Sequence, residues 1–368
     1  MPREVDGGFQ TERDFHVVAD ATLDEVQALV DSLEDTVDDY EANLSQGVLN
    51  ILMGEHGTWV LNKQTPNRQI WWSSPLSGPM RFDSHATILP ILRDPEESYI
   101  SAVELGVHKA SYPSAIIFLL GIQAGLQVGL GAAMAASTLA GVPGIKASDP
   151  GLAKLIYGFC GLPCGLLLTA TTGTQLFTGN TAIVSVALME RKIKFRQLVK
   201  TWIWSYLGNM VGAALLASLC TYAGVFKSAA ASIVSVAVYK AGLPFGVLVA
   251  RGALCNYLVC MAVWVSQAAA DLVSKAAAII LIITIFASLG FEHSVANMLI
   301  GPFSALNGGP SYLHFFLRNI VPVSIGNIFA GVVLVALSNY LSFGSGSKLW
   351  MKRKGHGKGF NPAATSSR

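Results

Sequence analysis

The chain has 368 residues, of which 52% are hydrophobic and only 13% are charged, and its mean hydropathy is +0.49. Such a composition excludes an ordinary soluble protein and indicates a membrane-embedded part. The formal net charge of +2 hides an uneven distribution, because residues 1–100 hold 18 of the 23 acidic residues but only 6 of the 25 Lys and Arg. We therefore expect an acidic domain at 1–92, a membrane domain at 93–345 and a basic, disordered cytoplasmic tail at 346–368.

The first predicted element is an amphipathic helix. Apolar residues recur at intervals of three and four, the spacing of one helix face, at Leu23, Val26, Val30, Leu33 and Val37. A run of acids like the one on its other face is, taken alone, typical of a solvated surface. That face carries Asp24, Glu25, Asp31, Glu34, Asp35, Asp38 and Asp39. The preceding "MPREVDGGFQTERDF" is acidic and has no apolar core, so we expect no signal or transit peptide.

Three short β-like runs follow the helix. They read "GVLNILMG", "TWVLNK" and "QIWWSS" and are separated by Gly, Pro and Asn turns. A helix packed on an antiparallel sheet buries the apolar faces of both, so we expect a small α+β domain.

Residues 12–83 resemble frataxin, the iron-binding protein of iron–sulfur cluster assembly. The stretch "GTWVLNKQTPNRQIWWSSPLSGPMRFD" (57–83) and the acidic first helix carry the resemblance. It implies that the seven carboxylates named above bind iron weakly, and that Asn62, Gln64, Trp71 and Arg81 on the sheet contact cluster-assembly proteins. A frataxin continues with a further strand and a closing helix, whereas this chain passes through "SHATILPILRD" into the apolar part. We therefore expect a truncated α/β sandwich.

Six apolar runs are long enough to cross a bilayer, which takes roughly 20 residues. They lie at about 113–136, 155–188, 202–223, 246–268, 276–302 and 319–342. Basic residues collect in "ERKIKFRQLVK", "DLVSK" and the tail "KLWMKRKGHGK". If these three segments share one side, the positive-inside rule puts both termini in the cytoplasm. We expect a multi-pass protein of the plasma membrane rather than of the mitochondrion.

The second and fifth runs are interrupted at comparable places. The second contains the Thr/Gly cluster 169–174 and "TGN" at 178–180, and the fifth contains Gly290 just before Glu292 and His293. Each is the middle span of a group of three, and an odd group inserted twice takes opposite orientations. The expected fold is therefore an all-α membrane protein of six helices in inverted three-helix repeats, with broken second and fifth helices (aquaporin-like) that line a transport site.

Four motifs in order then identify the chain as similar to the formate/nitrite transporter family of pentameric monocarboxylate channels. They are "LFTGNT" in the second span, "CNYLVCMAVW" in the fourth, "GFEHSVANM" in the fifth and "VPVSIGN" in the sixth, and the resemblance covers about residues 95–345.

The resemblance implies a role for eleven residues. Thr178, in the loop that interrupts the second span, faces His293 at the pore centre, and Lys240 is the vestibule lysine that attracts anions. Glu292, Asn256, Asn297 and Asn327 hold the broken helices. Leu166 with Phe286, and Phe177 with Val259, form two hydrophobic constrictions, one on each side of the centre.

Proton coupling follows from elementary chemistry. A small carboxylic acid has a pKa of about 4 and is anionic at neutral pH, and apolar rings reject a charge. A basic vestibule concentrates the anion, and protonation lets the neutral acid pass. Either His293 or bulk water can supply the proton.

We expect a homopentamer in a lipid bilayer that transports formate, nitrite or lactate with protons. Transport requires no cofactor, the transport domain is not an enzyme, and no nucleic acid is expected as a partner. The alternative is a frataxin-type iron chaperone or ferroxidase attached to a membrane segment, with iron on the acidic helix and cluster-assembly proteins as partners. The five cysteines lie in apolar stretches and are read as small buried hydrophobes rather than as a disulfide or metal framework.

Overall fold

A computed structural model of the protein describes residues 12–31, 34, 37, 39–75, 78–82, 93–269 and 271–347. The chain divides into two compact units, Met1–Pro90 and Ile91–Arg368. The first contains helix α1 (Glu12–Asp31) and five strands that pair antiparallel in chain order. These strands are β1 (Tyr40–Ser45), β2 (Val48–Met53), β3 (Thr58–Gln64), β4 (Gln69–Ser74) and β5 (Gly78–Phe82).

The first unit has its own small core. Leu23 of α1 packs against the alternating inward residues Leu49, Ile51 and Leu61 of β2 and β3, and all four are buried. This confirms the α+β prediction. Strands β1 and β5 were not predicted, because "YEANLS" lacks β-branched residues and "GPMRF" contains Gly and Pro, which are tolerated in strands at a sheet edge.

The second unit is helical. Its first helix precedes the first long apolar helix, and two short helices follow that long helix. The helices are α2 (Pro95–Ser111), α3 (Ser114–Gly141), α4 (Pro143–Ser148), α5 (Pro150–Phe159), α6 (Leu162–Thr171), α7 (Phe177–Met189), α8 (Phe195–Tyr222), α9 (Ala230–Gly242), α10 (Phe245–Ala268), α11 (Leu272–Ser288), α12 (Ser294–Leu306) and α13 (Tyr312–Phe343).

Within the described residues, five helical segments are long and apolar enough to cross a membrane: 114–141, 150–171, 195–222, 245–268 and 312–343. The run predicted at 276–302 is divided into α11, with 17 residues, and α12, with 13 residues. Each half is too short to cross a membrane by itself. The run predicted at 155–188 becomes α5, α6 and α7, because the chain turns at Gly161 (φ 114°) and breaks again after Thr171.

Two pairs of long helices cross closely. A Cβ at Gly125 of α3 would lie 2.2 Å from the carbonyl oxygen of Asn209 in α8, and a Cβ at Gly326 of α13 would lie 2.1 Å from that of Val249 in α10. Only glycine permits these backbone distances. The crossings bring polar side chains of α8 and α13 within reach of the two helix breaks, where the candidate site lies.

Candidate functional site

The site is built on two breaks in the helical unit. One separates α6 from α7, the other separates α11 from α12, and each contains a glycine with positive φ, at Gly173 (71°) and Gly290 (72°). The left-handed backbone that ends each first half-helix is readily adopted only by glycine. The second half-helices, α7 and α12, therefore begin inside the protein rather than at its surface.

The starts of α7 and α12 meet. The Thr178 hydroxyl lies 2.9 Å from His293 Nε2, and both side chains are buried. The predicted pair is thus brought together, although Thr178 lies in the first turn of α7 and not in the interrupting loop. The prediction that 178–180 breaks the helix was wrong, because the loop ends at Leu176 and the "TGN" backbone begins the hydrogen-bonding of the next helix.

The hydrogen bonds of His293 define its tautomer. The residue caps α12, and its Nδ1 accepts the backbone N–H of Ala296 at 3.1 Å. Since an N–H can only donate, Nδ1 carries the lone pair and the ring proton is on Nε2. Nε2–H therefore donates to the Thr178 hydroxyl oxygen. The ring is held as a neutral hydrogen-bond donor that points at the start of α7.

Glu292 anchors the second break. Its Oε2 accepts from Lys240 Nζ at 2.8 Å, from Asn297 Nδ2 at 2.7 Å and from Asn319 Nδ2 at 3.4 Å. The Glu292 side chain is 2% exposed, so the ammonium of Lys240 and the two amides compensate a buried charge. Lys240, expected to attract anions in a vestibule, has its charge paired here. Asn319 was missed, and its signal was an amide at the start of the apolar sixth run.

Asn327 fixes the backbone of the same break. Its Oδ1 accepts the Ser294 N–H at 3.1 Å, and its Nδ2 donates to the carbonyls of Gly252 at 2.8 Å and Glu292 at 3.3 Å. The amide thus ties the start of α12 and the break to α10.

Asn256 joins the two halves. Its Nδ2 lies 3.3 Å from the Thr178 carbonyl, 2.9 Å from Thr181 Oγ1 and 2.6 Å from the Asn327 carbonyl. The predicted amides Asn256, Asn297 and Asn327 therefore belong to one connected network with Thr178 and Glu292.

Asn209 plays the corresponding part at the first break and was missed by the sequence analysis. Its Oδ1 accepts the Phe177 N–H at 2.9 Å, and its Nδ2 donates to the carbonyls of Gly121 at 2.9 Å and Gln175 at 3.0 Å. The three contacts match those of Asn327 one for one. A signal existed, because each Asn is flanked by glycine in a long apolar helix, "LGNMVG" and "IGNIFAG".

A cavity of about 330 Å³ leads to the centre from one side. Polar groups on its wall include Tyr157, Lys240, Arg251, Glu292 and His293. A second cavity of only about 10 Å³ adjoins it and shares Phe286 and His293 with its wall. The residues around this narrow point include Leu166, Val259, Phe286 and His293.

The apolar residues are grouped differently from the prediction. Val259 shares the narrow cavity with Leu166 and Phe286, whereas the Phe177 ring packs edge-on against Tyr206, with ring centroids 4.8 Å apart. Since Val259 was expected on the far side of the centre with Phe177, the two predicted constrictions are not separated in that way. The α7 axis turns the Phe177 ring toward α8.

The first unit carries the other candidate residues. Asp24, Glu25, Asp31, Glu34 and Asp39 are exposed, while Asp35 and Asp38 lie outside the described residues. No group of three or more His, Cys, Asp or Glu side chains that could hold a metal occurs in the described part of the chain. The five cysteines are free, but only Cys255 and Cys260 are buried. The prediction of burial was wrong for Cys164, which is exposed, and for the half-buried Cys160 and Cys220, because an apolar helix also presents apolar residues on its outer surface.

The predicted partner-binding residues fall on neighbouring strands. Trp71 of β4 is the cross-strand partner of Asn62 in β3 and of Arg81 in β5, and Gln64 is two residues from Asn62. Because side chains alternate along a strand, Asn62, Gln64 and Trp71 lie on the sheet face opposite Leu61 and α1. Register places Arg81 at the matching position of β5.

Comparisons with known proteins agree with this division. The family model described as formate/nitrite transporter matches residues 96–341, and the frataxin-like domain model matches residues 9–102. The second match runs past residue 83, where the motifs ended.

Individual relatives are similar over most of their own length. The formate channel FocA of Escherichia coli strain K12 is 32% identical over 265 residues, covering 66% of this chain and 91% of that protein. A solved pentameric formate channel with formate bound matches with a TM-score of 0.55 and 28% identity, over 62% of this chain and 97% of that one. A solved FNT family ion channel matches with a TM-score of 0.59 and 29% identity, over 67% and 98%.

Proposed function

Since the chain belongs to the formate/nitrite transporter family, with a frataxin-like domain at its N-terminal end, we propose that it conducts small monocarboxylates and related anions, formate, nitrite or lactate, across a membrane as a homopentamer. One observation carries the proposal. The buried contact between Thr178 and His293 joins the starts of two half-helices at a narrow apolar point.

Electrostatics at that point favour a small anion. The N-termini of α7 and α12, each 13 residues long, direct partial positive charge at the centre. The Nε2–H of His293 adds a neutral donor. A full negative charge between Leu166, Val259 and Phe286 still costs several kcal/mol, so the species that crosses is the neutral acid.

Bulk water is the better-supported proton source. His293 holds one ring proton, and a second proton on Nδ1 would face the N–H of Ala296 at 3.1 Å. Giving up Nε2–H without that second proton would leave an imidazolate. We propose that the ring orients the substrate by a hydrogen bond, while the anion takes its proton from water as its own pKa rises in apolar surroundings.

The membrane arrangement is part of the proposal. Leu119, Leu130, Leu215 and Leu281 are exposed on α3, α8 and α11, as expected for surfaces that face lipid or neighbouring subunits. We propose six crossings in two inverted three-helix repeats, with 93–345 as the membrane domain and 346–368 as a basic tail. The basic loop after α7 then lies in the cytoplasm with both termini, in a plasma membrane.

The frataxin-like match supports a second candidate activity. We propose that the acidic face of α1 binds iron weakly and that the face with Asn62 and Trp71 contacts cluster-assembly proteins. The described carboxylates of this face, Asp24, Glu25 and Asp31, are exposed, and exposed hard-oxygen ligands suit iron that is held loosely. Iron here is cargo, so transport does not depend on it.

Uptake of radiolabelled formate, nitrite and lactate into proteoliposomes, with an inward proton gradient, tests the channel. We expect saturable uptake of at least one of them that rises as external pH falls, and a pentamer in detergent by light scattering. Uptake no faster than in protein-free liposomes for all three would reject the proposal. Iron titration of the same preparation tests the second activity separately.

A further inference from the structure

The helical unit repeats its own break chemistry. Gly173, Gln175, Asn180 and Asn209 of the first half correspond in position and contacts to Gly290, Glu292, Asn297 and Asn327 of the second. A lysine begins each set, because Lys109 precedes Gly121 by 12 residues and Lys240 precedes Gly252 by 12 residues. Each lysine stands at the edge of its own break.

One pair in this correspondence is chemically unequal. In the second half, Glu292 Oε2 accepts from Asn297 at 2.7 Å and from Lys240 at 2.8 Å. In the first half, Gln175 Oε1 accepts from Asn180 at 2.8 Å, but its Nε2 donates to the backbone carbonyl of Lys109 at 3.1 Å. The amide replaces a carboxylate, so the first lysine meets no counter-charge at this position.

Lys109 is left with a backbone partner only. Its Nζ donates to the Thr174 carbonyl at 2.7 Å, and within the described residues no carboxylate lies within 4 Å of it. Lys200 Nζ likewise has backbone partners at the end of the same helix, the carbonyls of Ala110 at 3.0 Å and Tyr112 at 2.6 Å. Both lysine side chains are half-buried, where a charge is weakly screened.

A small cavity adjoins this ammonium. Its volume is about 60 Å³, and its polar lining includes Lys109, Thr169, Thr174, Asn180 and Gln267. It lies on the face that carries the basic loop after α7, whereas the 330 Å³ cavity beside Lys240 lies on the opposite face, since α10 begins at Lys240's end and finishes at Gln267. Lys154 and Arg251 also lie on the wall of the larger cavity, so the two approaches to the centre differ in size and in whether the lysine at the break is paired with a carboxylate.

We propose that Gln175 makes the channel electrostatically two-sided, so that a small monovalent anion is bound beside Lys109 but not beside the compensated pair of Lys240 and Glu292. This inference rests on the proposed anion transport and names the residue that sets its sidedness. Formate is the probe. With Gln175 neutral, the unpaired ammonium of Lys109 lowers the half-saturating concentration for formate on the Lys109 face.

Membrane vesicles of the two orientations, each containing the full-length protein, test the proposal. Initial rates of radiolabelled formate influx are measured against concentration at one pH, without a membrane potential, for wild type, Gln175→Glu and Gln197→Glu. The last variant adds the same charge on the same face, at a capping position on α8 where a carboxylate can still accept the Lys194 N–H.

We expect Gln175→Glu to raise the half-saturating concentration on the order of tenfold in one vesicle orientation, and Gln197→Glu to leave it within about twofold. In the other orientation the Gln175 variant should match wild type. Glu292→Gln provides the mirror experiment, because it frees Lys240 and should lower the half-saturating concentration in that second orientation. Size-exclusion profiles and melting midpoints check that each variant is folded.

Equal changes in both orientations, or none with a folded Gln175→Glu variant, would overturn the sidedness. Failure of the wild type to take up formate, nitrite or lactate in either orientation would instead overturn the proposed function. The two failures are therefore distinguishable in one experiment.

Discussion

The Thr178 hydroxyl and His293 Nε2 are 2.9 Å apart although 115 residues separate them in the chain. The contact depends on Asn209 and Asn327, which hold the two breaks from α8 and α13.

We expect His293 to contribute to the pH dependence of transport by donating a hydrogen bond at the narrow point. We expect wild-type formate uptake to fall as pH rises from 5 to 8, because the protonated fraction falls. His293→Asn keeps a polar group but no longer supplies the ring, so uptake should fall less steeply and anion current should become measurable. Uptake with parallel electrophysiology in the same liposomes checks this. A wild-type pH profile without current in His293→Asn and His293→Ala would make the histidine structural.

The two supporting asparagines should respond alike. Asn209→Asp and Asn327→Asp keep an acceptor for the N–H of Phe177 or Ser294 but lose the donor to two buried carbonyls. Each orphaned group costs about 1 to 3 kcal/mol, so we expect lower melting midpoints and little transport. Asn339→Asp, which loses one part-buried hydrogen bond to the Val335 carbonyl within the same helix, serves as the control. An Asn209→Asp protein as stable and active as wild type would contradict the inference that Asn209 and Asn327 have corresponding roles in the two halves.

Removing only one charge of the Lys240–Glu292 ion pair should lower the free energy of unfolding. Lys240→Met leaves a carboxylate buried at 2% exposure, which destabilises by about 3 to 5 kcal/mol. The double variant Lys240→Met with Glu292→Gln removes both charges and should recover much of that loss. A double-mutant cycle on detergent melting midpoints measures the coupling. Additive effects would show that the 2.8 Å contact contributes nothing.

Glu190 joins the end of α7 to α2 and to the residues after α13. It accepts from the Tyr99 hydroxyl at 2.6 Å, from the Ser345 N–H at 2.8 Å and from the Ser345 hydroxyl at 2.5 Å. Burial tends to raise the carboxyl pKa, but these hydrogen bonds outweigh it and hold the pKa below its usual range.

Because the folded-state pKa is depressed, the stabilisation is present above the unfolded pKa and is lost as pH falls through the folded value. We expect Glu190→Gln to destabilise by about 1 to 2 kcal/mol at pH 7 and to differ less from wild type at low pH. Detergent melting curves across pH measure this. The exposed Glu104→Gln is the control, and a constant difference at every pH would contradict the ionic contribution.

We expect the proposed iron binding to depend on the acidic face of α1. Reversing Asp24, Glu25 and Asp31 to Lys should abolish iron binding in a titration of the full-length protein, because the hard-oxygen surface is lost. Glu55→Lys, an exposed carboxylate on the sheet side, should leave it unchanged, and formate uptake should persist in both. Undiminished iron binding by the triple variant would remove the iron role from α1.

The sequence by itself determined the class of the protein and a glycine-containing interruption in each broken run, but not the end of the first break, since 178–180 lies in α7. Charge asymmetry separated the two units, run length found the apolar helices, and Gly173 and Gly290 marked the interruptions, because composition and glycine act locally. The sheet centre followed from the β-like runs of β2 to β4, while β1 lacks β-branched residues although it alternates, and β5 contains Gly and Pro.

Only the tertiary structure decided which polar groups pair. The sequence does not show that Asn209 contacts Gln175 and Phe177, or that Asn319 contacts Glu292. Nor does it show that Lys240 is paired with a carboxylate while Lys109 is not. These contacts join residues that are far apart in the chain, and they depend on the close approach of helices at Gly125 and Gly326. Phe177 and Val259 lie apart for the same reason. The direction in which a helix begins, which its local sequence does not specify, determines where its side chains point.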